Sequence, residues 1–131
     1  SLARRLPSGN TLTTAINLGS VTPNATRVSF RASGTVGKTD QADFYKFTIA
    51  PGANLPFGNN RYQLRNGPAT FSFFVGIQGS IRFLRKFTLR QGSTSVSDRA
   101  INPTSFPITG YIRVERRTGE TRYNLAADFF R

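Results

Sequence analysis

The sequence predicts an all-β domain, a single antiparallel β-sandwich of about eight strands. Three observations carry this reading. Apolar residues recur at every second position in several stretches, turn residues interrupt the chain at short intervals, and no window of eleven or more residues shows helical spacing. The chain has 131 residues, 37% of them hydrophobic, with 12 Phe. A chain of this size buries roughly two-thirds of its unfolded surface, which suffices for one core.

Residues 1–14 read as an N-terminal arm or linker, because two Arg are followed by Pro7, Ser8, Gly9 and Asn10. The domain is expected over residues 15–131. The chain opens on Ser1 with no apolar signal segment, as expected of a processed product or an excised part. In the first predicted strand Val28, Phe30 and Ala32 alternate with Arg27, Ser29, Arg31 and Ser33. Residues 44–49 form the next, with Tyr45, Phe47 and Ile49 on one side and Lys46 and Thr48 on the other.

Residues 51–68 carry three Pro and three Gly, which predicts a loop with room for one short strand at Arg61–Leu64. A hairpin is expected from 71–78 and 81–90, joined at Gly79-Ser80. Phe71, Phe73 and Val75 point inward on its first arm, and Phe83 and Phe87 on its second. Arg85 falls on the apolar side, so it lies near the rim or a bulge shifts the register. Residues 91–107 read as a long connection. The final hairpin is expected from 111–117 and 122–129, around Thr118-Gly119-Glu120, with Ile112, Val114, Leu125 and Phe129 inward.

Composition excludes several chemistries. Without His or Cys there is no thiol or serine–histidine nucleophilic centre, no zinc finger and no disulfide. No apolar run reaches the roughly 18–20 residues of a membrane span. The expectation is a non-enzyme with no cofactor. The formal net charge of +12 comes from 15 Arg and 3 Lys against 6 acids. Such self-repulsion is costly, and Arg grips carboxylates and phosphates with paired hydrogen bonds, so an acidic partner is expected.

Three constellations bear on chemistry. Asp40 and Asp43 offer a weak calcium site, but Lys38 and Lys46 lie close in sequence and calcium wants six to eight oxygens. A turn held by carboxylate hydrogen bonds is the better reading. Glu115 and Glu120 sit among Arg113, Arg116, Arg117 and Arg122, which would hold both ionised and suits ion pairing better than acid catalysis. Nucleic acid is the third case: the basic strand faces, with Tyr62 and Phe74 as exposed aromatics, suit single strands, though no phosphate-binding glycine loop is present.

The segments Ala15-Ile-Asn-Leu-Gly-Ser20, Ala32-Ser-Gly-Thr-Val-Gly-Lys-Thr-Asp-Gln-Ala-Asp-Phe-Tyr-Lys-Phe-Thr-Ile49 and Tyr111-Ile-Arg-Val with Tyr123-Asn-Leu125 resemble the bacterial pre-peptidase C-terminal domain. The resemblance covers residues 15–50 and 110–130. It implies a jelly-roll-like β-sandwich, accessory rather than catalytic, of a kind common in secreted bacterial hydrolases and plentiful in cyanobacteria. The middle departs from the family pattern: Ala69–Ile77 lacks its acidic residues and has arginines nearby, which points to an acidic partner.

The expected function is therefore an interaction module for an acidic macromolecule. Its electrostatic contacts are Arg82, Lys86 and Arg90 in one row and Arg113, Arg117 and Arg122 in another. Basic charge and family distribution suggest a linker or adaptor of an acidic assembly such as the phycobilisome. The alternatives are a secretion or targeting appendage of a secreted hydrolase and a non-specific nucleic-acid binder, with a surface polysaccharide as a rival partner. The resemblance implies a bacterial protein, either secreted or part of a cytoplasmic assembly.

Overall fold

A computed structural model describes residues 13–131. Most of the expected N-terminal arm thus lies outside the described residues. Nine strands follow one another: β1 (Ile16–Val21), β2 (Arg27–Val36), β3 (Ala42–Ile49), β4 (Asn54–Leu64), β5 (Ala69–Ile77), β6 (Ser80–Leu89), β7 (Gly92–Ile101), β8 (Ile108–Arg116) and β9 (Thr121–Phe130). They form a five-stranded sheet in the order β1-β3-β8-β5-β6 and a four-stranded sheet in the order β2-β9-β4-β7. Every pair is antiparallel except β1 with β3. The all-β sandwich is as predicted, and the described residues contain no helix.

Three expectations are corrected. Residues 54–64 are one strand of eleven residues rather than a loop with a short strand. Pro56 is tolerated because the β4–β7 register shifts between Leu55 and Gly58, and pairing with β9 begins only at Phe57. Residues 92–101, expected as a connection, form β7; its inward residues include Thr94, Val96 and Ala100, so hydrophobic contrast with the serines between them is low. Finally, β8 and β9 are not a hairpin. The turn after Arg116 carries the chain from one sheet to the other, so Val114 and Leu125 reach the core from opposite sides.

The β5–β6 hairpin is present. Gln78 and Gly79 both have positive φ, 48° and 85°, the turn geometry whose twist matches a two-residue hairpin loop. Along this hairpin the pairing slips: Phe73 faces Arg85, but Phe74 faces Phe83. Leu84 is the extra residue of a bulge. Cross-strand partners share a sheet face, so the bulge turns Ile81 and Phe83 outward and Arg82 inward at the rim. Phe83, expected in the core, is 50% exposed. Arg85 satisfies both readings offered for it: it lies on the inner side at the rim, its guanidinium 5.1 Å from the Phe73 ring, next to the bulge.

The core has two lobes. One centres on Tyr62, Phe71, Phe73, Val114, Tyr123 and Leu125, with Phe87 packed on it. The other centres on Val21, Phe30, Leu55 and Phe129, with Phe47 packed on it. Ile49, Phe73, Ile112, Val114, Leu125 and Phe129 are buried as predicted, while Phe47, Val75 and Phe87 are partly covered. Asn102 is fully buried and anchors the β7–β8 loop. Its amide donates to the carbonyls of Ile49 and Phe106, both at 2.8 Å, and its oxygen accepts from the Thr104 amide at 2.9 Å.

Candidate polyanion-binding faces

The bulge at Leu84 breaks the first expected charge row. Lys86 pairs with Ser72 and lies on the outer face of the five-stranded sheet, whereas Arg82 pairs with Val75 on the inner side. Arg90 follows the end of β6. All three are exposed, but they do not form one row.

The second row is divided by the sheet switch. Arg113 lies on the outer face of the five-stranded sheet, Arg117 in the exposed turn, and Arg122 on the four-stranded sheet. Arg113 sits between two rings, 6.0 Å from Phe44 and 5.4 Å from Phe74. It donates to Ser72 Oγ at 3.3 Å and lies 3.7 Å from Glu115. Phe74 packs on Phe83 with centroids 5.6 Å apart. With Tyr111, paired to both Phe74 and Lys46, these residues make an aromatic and basic platform on that face.

Tyr62, expected as a surface aromatic, is 1% exposed and belongs to the core, packed on Phe71, Phe73 and Phe87. It lies on the inner side of β4 because it pairs with the inward Leu125. Burial raises its phenol pKa above the ordinary value, with Asp98 adding to the shift.

Asp40 and Asp43 are half-buried. Asp43 accepts a hydrogen bond from the Tyr123 hydroxyl, and the Asp40 main-chain carbonyl accepts from the Gly37 amide at 2.7 Å. The Asp40 side-chain Oδ1 is buried and without a partner. A tyrosine is thus among the donors to Asp43, a partner the expected carboxylate–amide turn did not include. Among the described residues, no group of three or more His, Cys, Asp or Glu gathers in a metal-binding arrangement.

The residues that sequence reasoning missed lie with the expected Arg122 on the outer face of the four-stranded sheet. The register stacks them in rungs across β2, β9 and β4: Thr35–Arg122, with Arg65 bonded through its amide to the Arg122 carbonyl; Ser33–Asn124–Gln63; Arg31–Ala126–Arg61; Ser29–Asp128–Asn59; and Arg27–Phe130–Phe57. Five arginines thus share this face with one carboxylate, Asp128, among the described residues. The Asp128 pKa is lowered first by the Ser29 hydroxyl and then by Arg31, 3.2 Å away. Arg31, Ala126, Arg61, Gln63, Asn124 and Asp128 line a groove of about 540 Å³. The signal for Arg27 and Arg31 was present in the alternation of β2. That for Arg61 and Arg65 was hidden by the prolines and glycines around them.

A second cavity, of about 250 Å³, opens between the sheets beside the bulge, with Phe47, Phe73, Ile108 and Ile112 in its wall and Asp98 and Arg99 among its polar residues. Arg85 reaches Asp98 at 3.4 Å and ties β6 to β7.

These features define an all-β sandwich domain with basic outer faces. No family model matches the chain, and no curated protein does. The chain is similar in structure to the pre-peptidase C-terminal domain of a collagenase from Bacillus anthracis, at 14% identity over 86% of this chain and 93% of that one, with a TM-score of 0.45. It is also similar to the CBM36-1 domain of a multidomain xylanase from the hindgut metagenome of Trinervitermes trinervoides, at 10% identity over 78% of this chain and 95% of that one, with a TM-score of 0.50. A third is PliG of Aeromonas hydrophila, a periplasmic inhibitor of g-type lysozyme, at 13% identity, 88% and 96% coverage and a TM-score of 0.41. At such identities the likeness concerns the fold alone.

Proposed function

We propose that the domain is a non-catalytic interaction module that holds an acidic macromolecule on its arginine-bearing sheet faces. The observation that carries this is the outer face of the four-stranded sheet, where Arg27, Arg31, Arg61, Arg65 and Arg122 share one surface with Asp128. Guanidinium groups held on adjacent strands repel one another until a polyanion supplies the counter-charge. A linker of an acidic antenna assembly and an appendage of a secreted hydrolase both need a contact surface, and the former calls for this chemistry directly.

The test is a salt titration of the domain against polyanions, with copurification from its native source. Association is expected to weaken steeply between about 0.05 and 0.2 M salt, as exposed charge contacts do when the Debye length shortens. Arg31→Glu with Arg61→Glu should abolish it. Arg82→Glu with Arg90→Glu should do less, because those two stand apart from the rungs. Unchanged association of the Arg31/Arg61 variant with the native partner at the same salt would remove the electrostatic account.

A second reading has its own observation. The Phe44, Arg113, Phe74 and Phe83 platform on the opposite sheet suits stacked bases of single-stranded nucleic acid. Loss of oligonucleotide binding in Phe74→Ala and Phe83→Ala, with the four-stranded face intact, would favour it.

A further inference from the structure

Resting on the polyanion reading, we propose that the groove over Ala126 is a binding site for a linear acidic polysaccharide, a chain of sugar rings bearing carboxylate or sulfate groups.

The groove has the width of a single chain. Neighbouring strands stand about 4.8 Å apart, so the Arg31 and Arg61 backbones are about 10 Å from each other, with only the Ala126 methyl between them. Arg31 and Arg61 thus line the groove on either side of a floor of one carbon. Arg31 is tethered to Asp128 on β9 at 3.2 Å and to the Phe30 carbonyl at 3.0 Å, which fixes its guanidinium beside the Ala126 floor. Arg61 has no ion pair among the described residues.

The neighbouring rungs select a hydroxylated ligand. On one side of the arginine rung stand Ser33, Asn124 and Gln63, and on the other Ser29, Asp128 and Asn59. Guanidinium groups only donate hydrogen bonds, whereas side-chain amides and hydroxyls both donate and accept. An anion alone needs donors. A sugar ring needs both kinds of partner for its hydroxyls, beside a charged donor for its acid group.

Nucleic acid fits these rungs less well, because single-strand binding relies on successive aromatic platforms, whereas the three rungs carry none and the stacked pair on this face lies beyond their end. An acidic protein surface would rest on the arginine tips and make no use of the cleared floor. One end of the groove does offer a ring face: Phe57, 57% exposed, stacks on Phe130 with centroids 6.0 Å apart, and Arg27 lies 5.8 Å over Phe130. That apolar patch suits the carbon–hydrogen face of a sugar.

The experiment measures binding of the domain to five probes: polygalacturonate, its methyl ester, chondroitin sulfate, poly-glutamate and oligothymidylate. Two variants separate shape from charge. Ala126→Phe fills the floor without changing charge, and Arg31→Gln with Arg61→Gln removes both charges; melting temperatures check that each is folded. Polygalacturonate or chondroitin sulfate should bind; tighter binding of polygalacturonate assigns carboxylate alone, and tighter binding of chondroitin sulfate, which bears both acid groups, assigns a contribution from sulfate. Arg31→Gln with Arg61→Gln should weaken that binding at least about tenfold, the loss expected when a charge-assisted hydrogen-bonded pair is broken, and Ala126→Phe should weaken it at least as much by occluding the floor. The methyl ester should bind weakly, and poly-glutamate should be indifferent to Ala126→Phe. Glycan binding that is unaffected by Ala126→Phe, while all polyanions bind alike, overturns the groove but leaves the polyanion module standing. Displacement of poly-glutamate or oligothymidylate by Ala126→Phe overturns the glycan class. Failure of every polyanion to bind at about 0.1 M salt overturns both.

Discussion

Tyr45 of the five-stranded sheet and Tyr123 of the four-stranded sheet meet hydroxyl to hydroxyl across the core, 2.6 Å apart. Since Tyr123 gives its proton to Asp43, Tyr45 is the donor to Tyr123, and the chain of hydrogen bonds ends on the carboxylate. Tyr123→Phe leaves Asp43 without that donor and Tyr45 without its acceptor. It should cost about 1–3 kcal/mol, and Tyr45→Phe about 1 kcal/mol. Urea midpoints of the two variants check this; equal stability of Tyr123→Phe and the parent would mean the relay contributes nothing.

Alkaline pH should unfold the domain through its tyrosines. Burial, partly offset by the bond to Tyr123, pushes the Tyr45 phenol up to about 12, and burial raises Tyr62 and Tyr123 as well. The unfolded phenols titrate near 10. The native state therefore binds more protons above that pH, so stability is fully present below about pH 10 and falls as pH rises through about 12. A melting temperature flat to pH 9.5 and falling beyond 10, with phenolate absorbance from these three tyrosines appearing together with unfolding, is expected. Phenolate formation by all three well before loss of structure would contradict the placement of these rings.

Gly34 is required by the same relay. A Cβ at this position would stand 2.6 Å from the Tyr123 hydroxyl and 2.9 Å from its ring carbon, and the ring is held by core packing. Gly34→Ala should cost about 1–3 kcal/mol, the usual range for overpacking. Because Tyr123→Phe removes the nearest clashing atom, the double variant should lose less than the sum of the two. Strict additivity in a denaturant cycle would rule out the contact.

Two phenylalanines separate the inner from the outer side of the hairpin. Phe71 is fully buried, so Phe71→Ala should cost about 3–5 kcal/mol. Phe83, turned outward by the bulge, should cost about 1 kcal/mol or less on the same change. Equal losses in thermal melts would restore the regular alternation.

The legible part of this fold is where apolar and polar residues differ sharply. Tyr45 to Ile49, Ile112 to Val114 and Tyr123 to Phe129 show it, and their inward sides follow directly from period two. β7 was hidden because Ser93, Ser95 and Ser97 alternate with a threonine and a single valine, and β4 because Pro56 and Gly58 sit in a bulge that the local sequence shares with loops. The sites fared worse for a physical reason. A charged row depends on register, and one inserted residue, Leu84, places Arg82 and Lys86 on opposite faces. The switch between sheets after Arg116 separates Arg113 from Arg122 without leaving any mark in the alternation. Arg31 and Arg61 become neighbours only because β9 lies between their strands, a long-range pairing that no local pattern encodes.

That position of β9 has a consequence for how the chain is made. β9 bonds to β2 on one side and to β4 on the other, so the four-stranded sheet is divided until residues 121–130 have left the ribosome. The earlier strands of this sheet must wait with their edges open, and only the β5–β6 hairpin joins sequence neighbours. Synthesis from the N-terminus therefore completes the strands of the five-stranded sheet at Arg116, before the strand that joins the other layer exists. Closure of the four-stranded sheet is the late event that awaits this one strand, and a nascent chain stalled before residue 121 presents open strand edges that invite aggregation or chaperone capture.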